Sequence, residues 1–304
     1  MAVQLRQRAA VGVSAARHAA APTLGVVLLA TLLALGAAAL HAGWNLVAKR
    51  ADGDRYTWLA SQFAMGAVVA LPFMIAYQVV EGMPWQGYAW ALVSGSIHLP
   101  YTWLLARAYT HGDFSVSYPI ARGGGAALAA VGGVLLLGDD LGAAEVAGIS
   151  IVVAGLLVLA ARATRRNVMM ALAVAATIGI YTTTDANGSR VAESVAYVFA
   201  SFVATGLTNT LFSFATGRRA AMAAVLRTSW RRATLAGSAS LVTYGMVLLA
   251  MQYAPVGYVA ALRESSVVLA ALAGWKMLGE DDHRRRLTSA AVVFLGLLVL
   301  VLGR

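Results

Sequence analysis

Four ionisable residues stand inside long apolar runs: Arg122, Asp185, Arg263 and Glu264. A charge at such a position costs roughly 2.5–3.5 kcal/mol to insert into a bilayer, so each needs a reason. A guanidinium there can grip a carboxylate or a phosphonate through paired hydrogen bonds. A buried carboxylate can meet an amine or carry a proton, and His41 adds a group that switches charge near neutral pH. The same residues also fit a structural ion pair, Arg122–Glu264 or Arg263–Glu264. Bond-breaking chemistry would need a nucleophile with its base, or a metal cluster. The sequence has no cysteine, no GxSxG and no HExxH, so these types point to binding and ion coupling rather than catalysis.

Polar and aromatic residues gather around them at helical spacing. His41, Trp44 and Asn45 fall at i, i+3 and i+4 on one helix face, and Tyr181, Thr184 and Asp185 repeat that spacing. Tyr118-Pro119-Ile-Ala-Arg122 runs into Gly123-Gly124-Gly125; proline and three glycines there predict a broken or kinked helix. Pro100 predicts a bend beside His98 and Tyr101, and Tyr244 adds another amphipathic wall. The candidate binding set is therefore His41, Trp44, Asn45, Tyr101, Tyr118, Arg122, Tyr181, Asp185, Tyr244, Arg263 and Glu264. Asp185, Glu264 and His41 are the candidate proton carriers. No cofactor and no metal site is expected.

These residues need elements able to hold them away from water. Of 304 residues, 60% are hydrophobic and 12% charged, against roughly 25% charged in an ordinary soluble domain. Unbroken Leu/Ala/Val/Gly runs of membrane length satisfy their backbone only as helices. Ten spans are expected: 23–48, 56–79, 87–109, 114–137, 143–161, 168–188, 194–216, 232–253, 255–278 and 287–303. Residues 1–22 read as a tail. The net charge of +10 sits in short arginine-rich loops facing lipid headgroups, which argues against a nucleic-acid partner.

The stretch from Arg122 recurs from Arg263, 141 positions on and without a gap: RGGGAALAAVGGVLLLGDD against RESSVVLAALAGWKMLGED, each followed by GLLVL. Residues 23–162 and 168–304 then form two units of five spans joined by 163–167. Five is odd, so the second unit enters the membrane inverted: the fold class is an all-α integral membrane protein of two inverted five-helix repeats, with a site between them. That is the organisation of a carrier for a small solute. A passive channel is compatible with the same repeat. The acid pairs Asp139-Asp140 and Asp281-Asp282 leave an intramembrane lipid-modifying enzyme as a further alternative. No GxxxxGK[ST] is present, which excludes nucleotide-driven transport within this chain.

HAGWNLVAKR, YPIARGGGAALAAVGGVLLLGDD, YTTTDANGSR and VGYVAALRESSVVLAALAGWKMLGE together resemble the drug/metabolite transporter superfamily, with two EamA-type repeats over residues 23–303. The resemblance implies export or exchange of small metabolites such as amino acids, a central cavity, a multi-pass location in a bacterial inner membrane, and both termini cytoplasmic. The chain would act as a monomer or homodimer, with the proton as candidate coupling ion. Two departures stand out. Asn45 occupies the place of the first-helix glutamate on which four-helix relatives depend. The arginine count favours an external N-terminus, opposite to what the resemblance implies.

Overall fold

A computed structural model of the chain describes residues 24–49, 53–111, 114–160, 165–192, 194–267, 269 and 283–302. The expected tail 1–22, the second part of the ninth span and Asp281-Asp282 lie outside them. Among the described residues there are ten helices and no strand. They are α1 (Leu24–Lys49), α2 (Arg55–Val80), α3 (Trp85–His111), α4 (Phe114–Leu137), α5 (Ala143–Ala160), α6 (Arg165–Ala192), α7 (Ser194–Ala215), α8 (Arg219–Ala250), α9 (Val256–Arg263) and α10 (His283–Leu302).

The bundle is apolar outside and polar within. Leu24, Leu32, Val79, Val80, Leu135, Leu136, Leu211 and Leu302 are exposed, while Ser61, Gln62, Thr102, Asn209 and Ser213 are fully buried. Water would not favour such a surface, and a bilayer does. Six helices are long and apolar enough to cross a membrane by length and composition: α1, α2, α4, α6, α7 and α8. Trp85 is exposed at the start of α3, where aromatic belts sit, and Trp230 is exposed inside α8. Hydrogen bonds tie the interior across helices: Gln62 Nε2 donates to Ser240 Oγ at 2.7 Å, and Thr31 Oγ1 meets Tyr258 Oη at 2.7 Å. Each contributes on the order of 1 kcal/mol in a membrane interior.

The packing pattern is nearly symmetric under an advance of five helices. α3 packs on α6 and α7, and α8 packs on α1 and α2; α4 packs on α6, and α9 on α1. The pairs α2–α7, α5–α10 and α4–α9 map onto themselves. Close approach in this centre needs small residues: a Cβ on Gly237 would lie 2.5 Å from the Gln62 carbonyl oxygen.

Three expectations need correction. α8 starts at Arg219, not near 232, and takes in Arg219, Arg227, Arg231 and Arg232; non-helical torsions at Ser229 (φ −134°, ψ 20°) kink it there. Arginine, alanine, leucine and methionine are all good helix formers, so a basic interfacial segment stays helical. Arg165 and Arg166, expected in the linker, open α6. Finally, α4 runs unbroken through Pro119 and the three glycines. The glycines serve packing: a Cβ on Gly123 would lie 2.7 Å from Leu156 Cδ1, and one on Gly125 would lie 2.5 Å from Ile178 Cγ2. The interruption falls instead in the second half. α9 ends at Arg263, and short i→i+3 bonds, Glu264 N–H to Ala261 C=O and Val267 N–H to Glu264 C=O, tighten the backbone at Glu264, whose torsions stay αR, before residues 265–267 are helical again.

Candidate functional site

A cavity lies at the centre of the bundle, with about 40 Å³ of free space, enough for a few waters. α1 supplies His41 and Trp44, α3 supplies His98 and Tyr101, and α6 supplies Tyr181; Tyr244 comes from α8 and Arg263 from the end of α9. Phe63, Phe202 and the hydroxyls of Ser201, Thr205, Ser240 and Thr243 complete the wall. Each of these stands on an apolar helix whose other faces meet lipid or neighbours, so its polar stripe has only the interior to face.

The aromatic groups form one packed array. The His41 and Trp44 rings meet edge-on at 4.7 Å, as their i, i+3 spacing requires. His98 lies 4.2 Å from the Tyr181 ring, 5.9 Å from Tyr101 and 6.1 Å from Tyr244. The His98 Nδ1 is 3.0 Å from the Ser94 carbonyl oxygen, which fixes the ring on its own helix and leaves the other nitrogen toward the array.

Of the expected residues, His41, Trp44, Tyr101, Tyr181, Tyr244 and Arg263 line the cavity. Asn45 is buried, and its amide donates to the His41 carbonyl at 2.9 Å, back along its own helix. Asp185 is fully buried; it accepts from Tyr197 Oη at 2.6 Å and from Tyr244 Oη. Glu264 accepts from Arg122 Nη2 at 2.8 Å, both side chains being almost completely buried. Asp185, Glu264 and Arg122 are thus neighbours of the wall rather than part of it. Tyr118 stands in α4, and its side chain lies outside the described residues. His98 was visible in the sequence only as a neighbour of Pro100; its helical spacing from Tyr101 was the available signal. The small hydroxyls look like ordinary packing residues in any apolar span.

At one end of the bundle, Asp139 joins three elements. It accepts from Arg190 Nη2 at 2.7 Å and from the Val256 N–H at 2.8 Å, capping α9 from the loop after α4. At the other end, Asp54 caps α2 through Thr57 and meets Arg218 Nε at 3.3 Å in a partly exposed pair.

Comparison with known proteins fits this organisation. A solved structure described only as "Crystal structure of protein" superposes with a TM-score of 0.68 and 20% identity, covering 90% of this chain and 99% of its own. That likeness concerns the fold. No curated protein matches. The model of the EamA-like transporter family matches residues 165–302, from the first residue of α6 to the last of α10. With its apolar exterior and membrane-length helices, the chain is similar over residues 165–302, a little under half its length, to the EamA-like transporter family, membrane transporters of the drug/metabolite type.

Proposed function

We propose that this protein is a secondary transporter, an exporter or exchanger, that carries a small polar metabolite by alternating access around the central cavity. The observation that carries the reading is the cavity itself, walled by α1–α3 and by α6–α9 and backed by buried charges. A site held between two sets of helices can be opened to either side by rocking one set against the other. The helix packing that survives an advance of five, together with the 141-residue repeat, supports two inverted five-helix units, 23–162 and 165–302. In that arrangement all ten helices cross the bilayer.

The eleven expected residues then divide into a wall (His41, Trp44, Tyr101, Tyr181, Tyr244, Arg263) and a supporting layer (Asn45, Asp185, Arg122, Glu264), with Tyr118 unassigned. Asp185, Glu264 and His41 are the groups proposed to couple a proton to the solute. An amino acid or related zwitterion fits a centre with charges of both signs. The bacterial inner membrane is the proposed location, with monomer or homodimer as the functional unit.

The test is exchange in proteoliposomes holding the full chain, with a mixed panel of labelled small metabolites. Saturable flux accelerated by solute on the opposite side is expected. Flux that rises linearly without countertransport would replace the carrier with a channel, and its absence across the panel would remove the transport reading.

A further inference from the structure

The charge on the cavity wall narrows the solute further. Besides the imidazoles of His41 and His98 on the wall, four buried groups could set the sign of the site: Arg122, Arg263, Asp185 and Glu264. Of these four only Arg263 lines the cavity. The carboxylates face elsewhere: Asp185 is held by the hydroxyls of Tyr197 and Tyr244, and Glu264 by the guanidinium of Arg122. Arg263 is 4% exposed and has neither an ion pair nor a hydrogen bond among the described residues, and its Nε is buried without a partner. Glu264 is felt by both guanidiniums but pairs directly with Arg122, so Arg122, Arg263 and Glu264 together keep one positive charge in excess. Burying that excess is costly, and a solute anion entering the cavity removes the cost. Among the described residues the rest of the wall carries no Asp or Glu for an ammonium to meet. It offers instead the flat faces of Trp44, Tyr101, Tyr181, Tyr244, Phe63 and Phe202.

Resting on the transporter reading above, we infer that the solute is an organic monoanion, a carboxylate on an apolar or aromatic body, held head-first by Arg263 with its body against the aromatic array. A single wall cation selects one negative charge over two. An amino acid is accepted through its carboxylate, and its ammonium gains at most a contact with a ring face.

Thermal unfolding of the purified full chain, with and without solute, tests this. The probes are benzoate, phenylacetate and hexanoate, with benzylamine, hexylamine and benzyl alcohol as matched cations and a neutral control. At least one carboxylate is expected to raise Tm in a saturable way, while its amine and alcohol counterparts do not. Arg263→Gln should weaken that carboxylate about tenfold or more, the size expected for losing a charged hydrogen-bonding partner. Arg263→Lys, which keeps the charge and loses the fork, should fall between the two and serves if the Gln variant does not fold. No shift with any carboxylate, equal shifts with the amines, or an unchanged affinity in Arg263→Gln would each overturn the inference. Countertransport of the same probes separates the two readings. A carboxylate that binds through Arg263 and does not exchange leaves the anion site standing and removes the transporter. Saturable exchange of amines that survives Arg263→Gln does the reverse.

Discussion

Arg122 and Arg263 occupy matched places in the repeat, and the bundle treats them differently. Arg122 stands in a continuous helix and is neutralised by Glu264 at 2.8 Å. Arg263 ends a short helix, faces the cavity and has no close ion pair of its own among the described residues, Glu264 being paired with Arg122. The difference traces to the next residue in each copy. Gly123 follows Arg122, and the lack of a side chain lets Leu156 of α5 press against α4. Glu264 follows Arg263 and reaches across to the first copy's arginine, so one repeat supplies both members of its own mismatch. The recurring segment sets two arginines in step, and the residue after each separates one that is paired from one that faces the cavity.

The largest effect should come from separating the two. Arg122→Gln strands Glu264 as a buried, unpaired carboxylate and is expected to cost roughly 3–5 kcal/mol, read as a fall in Tm in detergent. Arg263→Gln removes a charge that had no partner and should leave Tm level or higher. Equal destabilisation by both would erase the distinction drawn here.

Smaller effects should follow three residues on. Gly125→Ala places a Cβ 2.5 Å from Ile178 and should cost about 1–3 kcal/mol through overpacking. Its repeat mate Ser266 is fully buried, with a hydroxyl lacking any partner among the described residues. Ser266→Ala should therefore be neutral or slightly stabilising. Denaturation of the pair in parallel would sharpen the contrast between a helix packed on glycine and one interrupted at Glu264; a larger loss at Ser266 would reverse it.

The smallest belongs to the partly exposed pair, Asp54 with Arg218, a reference for what an ion pair is worth outside the core. Partial burial pushes the Asp54 carboxyl up. The Thr57 hydroxyl and N–H, the Tyr56 N–H and the Arg218 guanidinium outweigh that and hold it below the usual carboxylate range. A lowered folded-state value means the contribution is complete above about pH 4 and is lost as pH falls below it. Asp54→Ala, which also removes the cap of α2, should cost about 1 kcal/mol at neutral pH, and that cost should shrink as pH falls below about 4. A pH-independent difference between wild type and variant would show that the cap's charge is irrelevant.

How much of this was legible varied with the kind of signal. The helical membrane class followed from apolar runs that leave the backbone no other partner. The Arg122 and Arg263 neighbourhoods followed from the repeat, and His41 with Trp44 from their spacing. The glycines after Arg122 misled, because the same residue that loosens an isolated helix also admits a neighbour's Leu or Ile, and only the neighbour decides which. The arginines from 219 to 232 misled because charge density reads as loop while their intrinsic preference is helical. His98 carries only a weak signal, an i, i+3 spacing from Tyr101 that straddles Pro100 and reads first as a bend.

The sequence by itself determined that this chain is a bundle of apolar helices with a duplicated arginine segment and a few costly charges inside it. Those properties are local, set by composition, spacing and the expense of an unsatisfied backbone in lipid. Only the tertiary structure decided which charges face one another and which face the cavity. Glu264 chooses Arg122 across 142 positions of chain, Asp185 turns to two tyrosines on other helices, and Arg263 is left on the wall. A buried charge takes whichever partner packing brings within reach, and reach is a property of the assembled bundle.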